Sequence, residues 1–599
     1  MKYLNKFLVK YFTTFIYFYK KLKHRLFVRI FLNISVGALD GFGLVMFLPL
    51  LEMTGDQSPN TGSKSLGKLD FVVEFIANLG IAFSLLNILI VMTTFFLLKG
   101  IASYINSIYA VRVKMYFIRT MRNNLSDMIA SMSYKKFVLS DAGRISNTLI
   151  GEVARVSQSY ETYFGAFQQF ILTIVYMGFA FTINPEFALL ITVGGLITNV
   201  FFRSLYKITK NSSSEITEGS HFYQKLIIQL ISNFKYLKAT GQLENYTKKL
   251  KKTIFYIERH NLKIGKLSSI ITSVREPLMI IVVSTVILIQ VNLMGGELGA
   301  ILISLLFFYK AMNSLMQMQT IYNKFLEVSG SQNSMTKFEM ELVEAFEIDG
   351  VNEIHKFESA IVLQNIKLSY DSKVVLNKIN LKINKLETVA FVGESGSGKT
   401  TLVNLIAGLM PIDSGSISID NISFSELNRK SYQKRIGFIT QEPVIFNDTI
   451  FNNVTFWDEY NEDNLQRFNN AIKQASIYEF VMGLEGLENS TLGNEGVNLS
   501  GGQRQRISIA RELYKDIDIL IMDEATSALD SETEKAIQQS IDNLKGKLTI
   551  LIVAHRLATI KNADKIVLLN KGSIEDVNNF KGLLQSSLNF KRMAQLQEV

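Results

Sequence analysis

The sequence predicts two folds in one chain: an N-terminal all-α polytopic membrane part with six long helices, and a C-terminal α/β part of the phosphate-loop type with a helical subdomain. Three observations predict it. Residues 26 to 330 carry several apolar runs of about twenty residues, the length a helix needs to cross the hydrocarbon of a bilayer. Residues 355 to 599 abandon those runs for short apolar strands alternating with amphipathic helices, the pattern of a parallel sheet. Among these strands, "TVAFVGESGSGKTTL" reads as a buried strand, a glycine-rich loop and the opening of a helix. At 599 residues the chain is too long for a single core.

Six spans are expected, over 26–52, 81–110, 160–183, 186–207, 270–293 and 298–327. The connections alternate in character. "TINPEF" (182–187) and "NLMGGELG" (292–299) are very short, whereas 111–159 and 208–269 are long, polar and helix-patterned. Short loops on one face and long basic ones on the other place both termini in the cytoplasm. The first outer connection, 53–80, ends in "LDFVVEFIANLGI", which reads as a short helix on the outer surface. The inner segments continue the spans as rods below the membrane, and each must reverse. "SYKKFVLSDAGRISN" (133–147) is one expected reversal and "TEGSHFYQ" (217–224) the other. Turns at the ends of stiff rods are placed to press on another domain. A linker is expected over 331–354.

The net charge of +10 would suit a nucleic-acid binder, but its distribution does not. Residues 1–25, "MKYLNKFLVKYFTTFIYFYKKLKHR", are basic, have no acidic residue and lack a small-residue cleavage site. They read as an amphipathic interfacial helix lying among membrane lipids. No nucleic-acid partner is expected. The chain has no cysteine, which excludes disulfides, thiolate metal sites and a cysteine nucleophile.

Ionisable groups inside spans are costly and are functional candidates by default. Asp40, Arg275, Glu276 and Lys310 qualify, with Asp40 the deepest; Arg275 and Glu276 sit near a cytoplasmic end. The stretch "KAMNSLMQMQTIYNK" (310–324) is too polar for lipid and suits a water-filled cavity. There Met312, Met316 and Met318 offer an adaptable apolar wall. Asp40, Lys310 and Gln317 are the candidate substrate contacts.

In the α/β part, the loop Gly393, Glu394, Ser395, Gly396, Ser397, Gly398, Lys399, Thr400 fits G-x-x-x-x-G-K-[ST]. Its glycines let backbone N–H groups close around phosphates, Lys399 adds a point charge, and the Thr400 hydroxyl can ligate Mg2+. Thr401 continues the helix N-terminus, whose dipole favours an anion. "IDILIMDEATSALD" (517–530) is a second buried strand ending in Asp523 and Glu524. Asp523 fits the outer coordination of the metal, and Glu524 is placed to orient or deprotonate an attacking water. "LTILIVAHR" (548–556) brings His555, a candidate γ-phosphate sensor, to a strand's carboxyl end, and "IGFITQE" (436–442) does the same for Gln441, suited to Mg2+ or water. Tyr370, in "IKLSYDSK", is a candidate for stacking on adenine.

This set of motifs resembles the ATPase domain of ATP-binding-cassette (ABC) transporters and covers essentially all of 355–599. The resemblance implies an adenine platform at Tyr370, the phosphate loop 393–400, Gln441, the signature Leu499-Ser500-Gly501-Gly502-Gln503, Asp523, Glu524, Asp530 in "SALD", and His555. The membrane part resembles the six-span exporter-type domain of the same superfamily, in architecture more than in residues. Ser500, Gly501 and Gly502 open a second helix and so form a second anion site, on a helical subdomain over about 441–512. The family's arrangement implies that this loop holds the ATP of a partner cassette. With one cassette per chain, the implied assembly is a homodimer of C2 symmetry.

The implied function is ATP-driven alternating access. A polar but Met-rich cavity, the outer-surface helix and a general likeness of 30–90 to such flippases favour export or flipping of an amphipathic, lipid-like molecule such as a lipid-linked oligosaccharide. Peptide or drug export is the alternative, and an importer on the same architecture is a smaller one. Two rivals come from other classes. A soluble ABC ATPase is opposed by the length of the apolar runs, and a nucleotide-gated channel by Glu524 and His555 both being present. Frequent Asn, Lys and Ile suit an AT-rich bacterial genome and hence an inner (plasma) membrane location.

Overall fold

The computed structural model describes residues 13–47, 50, 84–183, 185–292, 298–347, 349–370, 373–493, 496–523, 538–554 and 560–597. The chain divides into two compact units. The first comprises residues 1–131 and 140–345, the second residues 132–139 and 346–599.

Helices form the whole described part of the first unit. A helical segment over 13–22 leads into α1 (Arg25–Val45), followed by α2 (Leu85–Ala130), α3 (Val153–Ile183), α4 (Pro185–Ser232), α5 (Leu243–Asn292) and α6 (Leu298–Glu344). The Ser84 hydroxyl caps α2 by accepting from the Asn87 N–H, and Pro185 opens α4 where its missing N–H costs nothing. α2 has 46 residues; at 1.5 Å each it is about 70 Å long, more than twice the hydrocarbon thickness. Its excess is a helical extension beyond the length a span needs. Four helical stretches are long and apolar enough to cross a membrane: Arg25–Val45, Leu85–Ala130, Ala142–Thr182 and Leu243–Ile289. α4 and α6 are helices of 48 and 47 residues. The expected outer-surface helix in 53–80 lies outside the described residues.

The first reversal falls where the sequence places it. Asp141 caps the helix Ala142–Asn147, accepting from the N–H of Gly143 (2.9 Å) and of Arg144 (3.3 Å), and pairs with Lys225 of α4 at 2.8 Å. That helix joins α3 through a π turn, Thr148–Glu152. The second reversal falls later than 217–224. α4 runs unbroken to Ser232, because Thr217 is buried and the His221 ring bonds both Asn147 (3.0 Å) and Ser334 of α6 (3.0 Å). The chain turns instead around the short helix Phe234–Ala239 and Gly241, whose φ of +71° suits glycine. The stretch read as a linker from 331 begins as the last turns of α6, since Met335, Phe338 and Leu342 keep a helical apolar period and are buried.

The second unit holds two sheets. β1 (Ala360–Tyr370), β2 (Lys373–Asn384), β4 (Ser414–Ile419) and β5 (Ile422–Ser423) form an antiparallel sheet in the order β2-β1-β4-β5. β3 (Thr388–Val392), β6 (Ile436–Ile439), β7 (Ile519–Asp523), β8 (Thr549–Val553), β9 (Lys565–Asn570) and β10 (Ser573–Asn578) form the other, in the order β10-β9-β3-β8-β7-β6. Its pairings are parallel except β10 with β9. β3 and β8 are buried along their whole length, as continuous apolar strands covered on both faces must be. α7 (Lys399–Ile406) follows β3, and α8 (Gly501–Tyr514) precedes β7. Within 441–512, where a helical subdomain is expected, helices Ile450–Thr455, Glu462–Gln474 and Tyr478–Met482 share an apolar core with α8. The short helix Tyr134–Leu139 belongs to this unit, where the Lys135 ammonium donates to the Ser369 carbonyl (3.4 Å).

A Cβ at Gly143 would lie 2.5 Å from the Lys225 Cα and 2.7 Å from its N, both backbone atoms. Gly143→Ala therefore forces two helices apart and is expected to cost about 1–3 kcal/mol, read as a lower thermal midpoint of the detergent-solubilised protein. Gly265→Ala, where a Cβ meets nothing within 4 Å, is expected to leave the midpoint unchanged or higher.

Candidate active site

Parallel pairing brings several strand ends to one edge. Phe391 of β3 and Asp523 of β7 both pair with Val553 of β8, and Met522 pairs with Ile439 of β6, so these four carboxyl ends lie level. Open α/β sheets bind ligands at this edge.

The phosphate loop leaves β3 here. Gly393, Gly396 and Gly398 take φ values of +152°, +79° and +102°, a run only glycine sustains without strain. At Gly393 space is also decisive, since a Cβ would sit 2.2 Å from the Leu569 carbonyl oxygen. Glu394, Ser395 and Gly396 are exposed at the loop's crest, whereas Ser397, Gly398 and Lys399 are buried. The Lys399 ammonium is folded back into its own loop, donating to the carbonyls of Gly393 (2.9 Å) and Glu394 (3.0 Å). The buried Ser397 hydroxyl has no hydrogen-bond partner. Thr400 and Thr401 lie in the first turn of α7, and the Thr400 hydroxyl donates to Asp523 Oδ1 at 3.5 Å. A hydroxyl and a carboxylate at the mouth of an anion cradle suit a hard cation that keeps few protein ligands.

Gln441 is exposed two residues beyond β6. Tyr370 closes β1 half-buried, with its hydroxyl 3.9 Å from Met410 Sδ. Glu524, Asp530 and His555 lie outside the described residues, although the strands that lead to Glu524 and His555 end at the expected edge. The signature loop opens α8 as the sequence predicts. Ser500 is its N-cap and forms a reciprocal capping box: Ser500 Oγ accepts from the Gln503 N–H (3.2 Å), and the Ser500 N–H donates to Gln503 Oε1 (2.8 Å). Leu499 is buried beneath, while a Cβ at Gly501 would meet nothing within 4 Å.

Among the candidate substrate contacts, Asp40 is already satisfied. It is 3 % exposed, pairs with Lys99 of α2 at 2.5 Å and accepts from the Tyr176 hydroxyl of α3. It ties three helices together. Lys310 and Gln317 are half-buried on α6, Met312 and Met316 are fully buried, and Glu276 is exposed.

Sequence reading misses Arg511, because "ISIARELY" looks like any amphipathic helix. Arg511 is 3 % exposed and donates from Nε to the Asn453 carbonyl (2.5 Å), from Nη1 to the Val444 carbonyl (2.7 Å) and from Nη2 to Asn453 Oδ1 (3.0 Å). Burial pulls its pKa below the usual guanidinium value. It fixes the segment after Gln441 to the helix that carries the signature loop. Gly572 is missed too: its N–H donates to the Ser397 carbonyl (3.1 Å), bracing the phosphate loop from behind.

Residues 376–527 match the family model described as ABC transporter, and residues 26–320 match that of the ABC transporter transmembrane region. The chain belongs to the ABC transporters. It is a half-transporter, with one membrane part and one ATPase cassette that binds ATP and couples its hydrolysis to transport. An ATP-dependent lipid A-core flippase of Desulfotalea psychrophila is 29% identical over 553 residues, covering 90% of this chain and 94% of that one. Namesakes from Haemophilus influenzae strain 86-028NP and Francisella novicida are 28% and 27% identical, over 84% and 82% of this chain and 86% and 84% of theirs. A solved bacterial Atm1-family ABC exporter with ATP bound superposes with a TM-score of 0.79 at 19% identity, over 96% of this chain and all of that one. At that identity the likeness speaks for the fold.

Trp457, the single tryptophan, reports on the segment after Gln441 in this transporter. Its indole N–H donates to Asp448 Oδ2 at 2.7 Å. That bond first, then the Asn452 amide and the Thr449 N–H, hold the Asp448 carboxyl below the ordinary carboxylate range. A depressed pKa means that the contact persists as pH falls through the ordinary range and is lost below it. Trp457 emission is expected to change only in that more acidic window, and Asp448→Asn to abolish the transition.

Proposed function

We propose that two copies of this chain form a homodimer in a bacterial inner membrane, with ATPase cassettes in the cytoplasm, and move an amphipathic, lipid-like molecule by ATP-driven alternating access. Each ATP lies between the 393–400 loop of one subunit and the Leu499–Gln503 loop of the other. Tyr370 stacks on adenine, and Lys399 leaves its own carbonyls for the β- and γ-phosphates. Ser500 and the N–H groups of Gly501 and Gly502 receive the γ-phosphate across the interface. Thr400, Gln441 and Asp523 would hold Mg2+, which would supply charge neutralisation for the phosphates. Glu524 takes the proton of the attacking water, His555 senses the γ-phosphate, and Asp530 lines the interface.

The closed dimer binds ATP through both loops and the open one through a single loop, so ATP shifts the equilibrium toward closure. Cleavage removes the group both loops share, and the dimer reopens. The membrane rods carry this movement upward through turns such as Tyr134–Leu139, which lies in the cassette unit.

The observation that supports the cargo is the colinear likeness to relatives named as lipid A-core flippases, which runs through the membrane part as well as the cassette. Cargo is recognised in the membrane part, so a likeness confined to the cassette would carry no such argument. Reconstituted into proteoliposomes, the protein is expected to hydrolyse ATP several-fold faster with lipid A-core glycolipid than with phospholipid alone. Glu524→Gln is expected to bind ATP and arrest. Stimulation by peptides or drugs with no response to glycolipid would overturn the cargo reading, and wild-type turnover by Glu524→Gln would overturn its role as base.

A further inference from the structure

The first membrane helix is polar on the wrong side for an ordinary span. α1 exposes Phe27, Phe31 and Ile34 on one face, yet its inward face carries Arg29 and Asn33, one turn apart and only 6 % and 1 % exposed. A buried cation demands compensation. Among the described residues, Arg29 makes no ion pair. Its guanidinium lies over the rings of Tyr160 (5.0 Å) and Phe164 (5.2 Å) of α3, which offsets part of the cost, but Nη1 has no hydrogen-bond partner.

Its neighbours are short of acceptors as well. Asn33 Oδ1 accepts from the Asn106 amide of α2 at 2.8 Å, leaving Asn33 Nδ2 without a partner. The buried Tyr160 hydroxyl, which lies against the Arg29 guanidinium, has no acceptor for its own O–H among the described residues. The Asn106 Oδ1 acceptor left by the amide pair satisfies none of the three. Three buried donors around one uncompensated positive charge complement an anionic oxygen.

Location narrows the ligand. Arg29 lies four residues past the start of α1, so with the N-terminus in the cytoplasm it sits at the depth of inner-leaflet phosphates. Lys20, Lys23 and His24 are exposed at the same end. The helical segment over 13–22 covers the group: Phe18 and Leu22 are fully buried, and Phe18 packs on Tyr160 (5.5 Å) and Phe164 (5.9 Å), the rings that carry Arg29.

We propose that Arg29 and Asn33 form a resident site for an anionic phospholipid of the inner leaflet, whose phosphate enters beneath the N-terminal helix and accepts from Arg29 Nη1, Asn33 Nδ2 and the Tyr160 hydroxyl. The acyl chains run along the exposed Phe27, Phe31 and Ile34. The site is independent of the cargo and rests only on the cytoplasmic placement of the N-terminus. It gives the helical segment over 13–22 a specific task, covering a lipid headgroup rather than merely floating at the interface.

Native mass spectrometry of the full-length protein, purified from membranes of phosphatidylglycerol and phosphatidylethanolamine and delipidated stepwise, tests it. Wild type is expected to keep phosphatidylglycerol at the last step, and Arg29→Gln to retain about tenfold less, as loss of a charge-assisted hydrogen bond implies. Asn33→Leu, which leaves the guanidinium in place, is expected to retain several-fold less, and it decides the matter if Arg29→Gln does not fold. Equal retention by wild type and the folded variants would overturn the proposal and leave Arg29 a ring-stacked structural cation. Inorganic phosphate is the second arm. If millimolar phosphate raised the thermal midpoint of lipid-free wild type and not of Asn33→Leu, while phosphatidylglycerol retention were equal in both, the site would belong to a free anion.

Discussion

The cassette is organised around an ammonium group that has been taken out of water. Lys399 is 5 % exposed at the edge of a parallel sheet and donates to two backbone carbonyls, which on the proposed function give way to phosphate oxygens. A lysine held this way exchanges one set of oxygens for another at little desolvation cost, because the cost is already met by the fold. The glycines at positive φ, the Gly572 brace behind Ser397 and the buried β3 and β8 all serve to hold that loop in place. The loop proposed to meet the partner's nucleotide has a different origin. It is a helix start tied off by Ser500 and Gln503, which fixes the orientation of its N–H groups.

Transport requires that changes at these loops reach the bilayer, and the lengths of the helices supply the means. Rods that exceed the membrane more than twofold transmit displacement as levers, provided their contacts are stiff. The pairing of Asp141 with Lys225 and the bonding of His221 to both Asn147 and Ser334 are contacts of that kind, joining α4 to its neighbours well away from any expected span. Inside the expected spans, Asp40, Lys99 and Tyr176 do the same for α1, α2 and α3.

Much of the cassette was legible because its signals are local. A strand, a glycine loop and a helix start lie within fifteen residues of "TVAFVGESGSGKTTL", and their spacing alone carries the chemistry. What escaped depends on distant partners. Asp40 reads as a free intramembrane acid until Lys99, 59 residues on, and Tyr176, 136 residues on, are found beside it. Arg511 looks like a surface residue until Asn453 is seen beneath it. The stretch 217–224 suggests a turn by its glycine and polar residues, but burial of Thr217 and the bonding of His221 to the helix Ala142–Asn147 and to α6 override that local preference and keep α4 straight.

On the proposed function, nucleotide is clasped between two copies of the chain. Because the sequence contains no cysteine, introduced thiols are unambiguous. Mixing chains carrying Ser395→Cys with chains carrying Gly501→Cys, and oxidising them with ATP bound, is predicted to yield a covalent dimer that forms far more slowly without nucleotide. A single chain carrying both substitutions that crosslinks within itself at the mass of a monomer, with no dimer at any ATP concentration, would contradict the account.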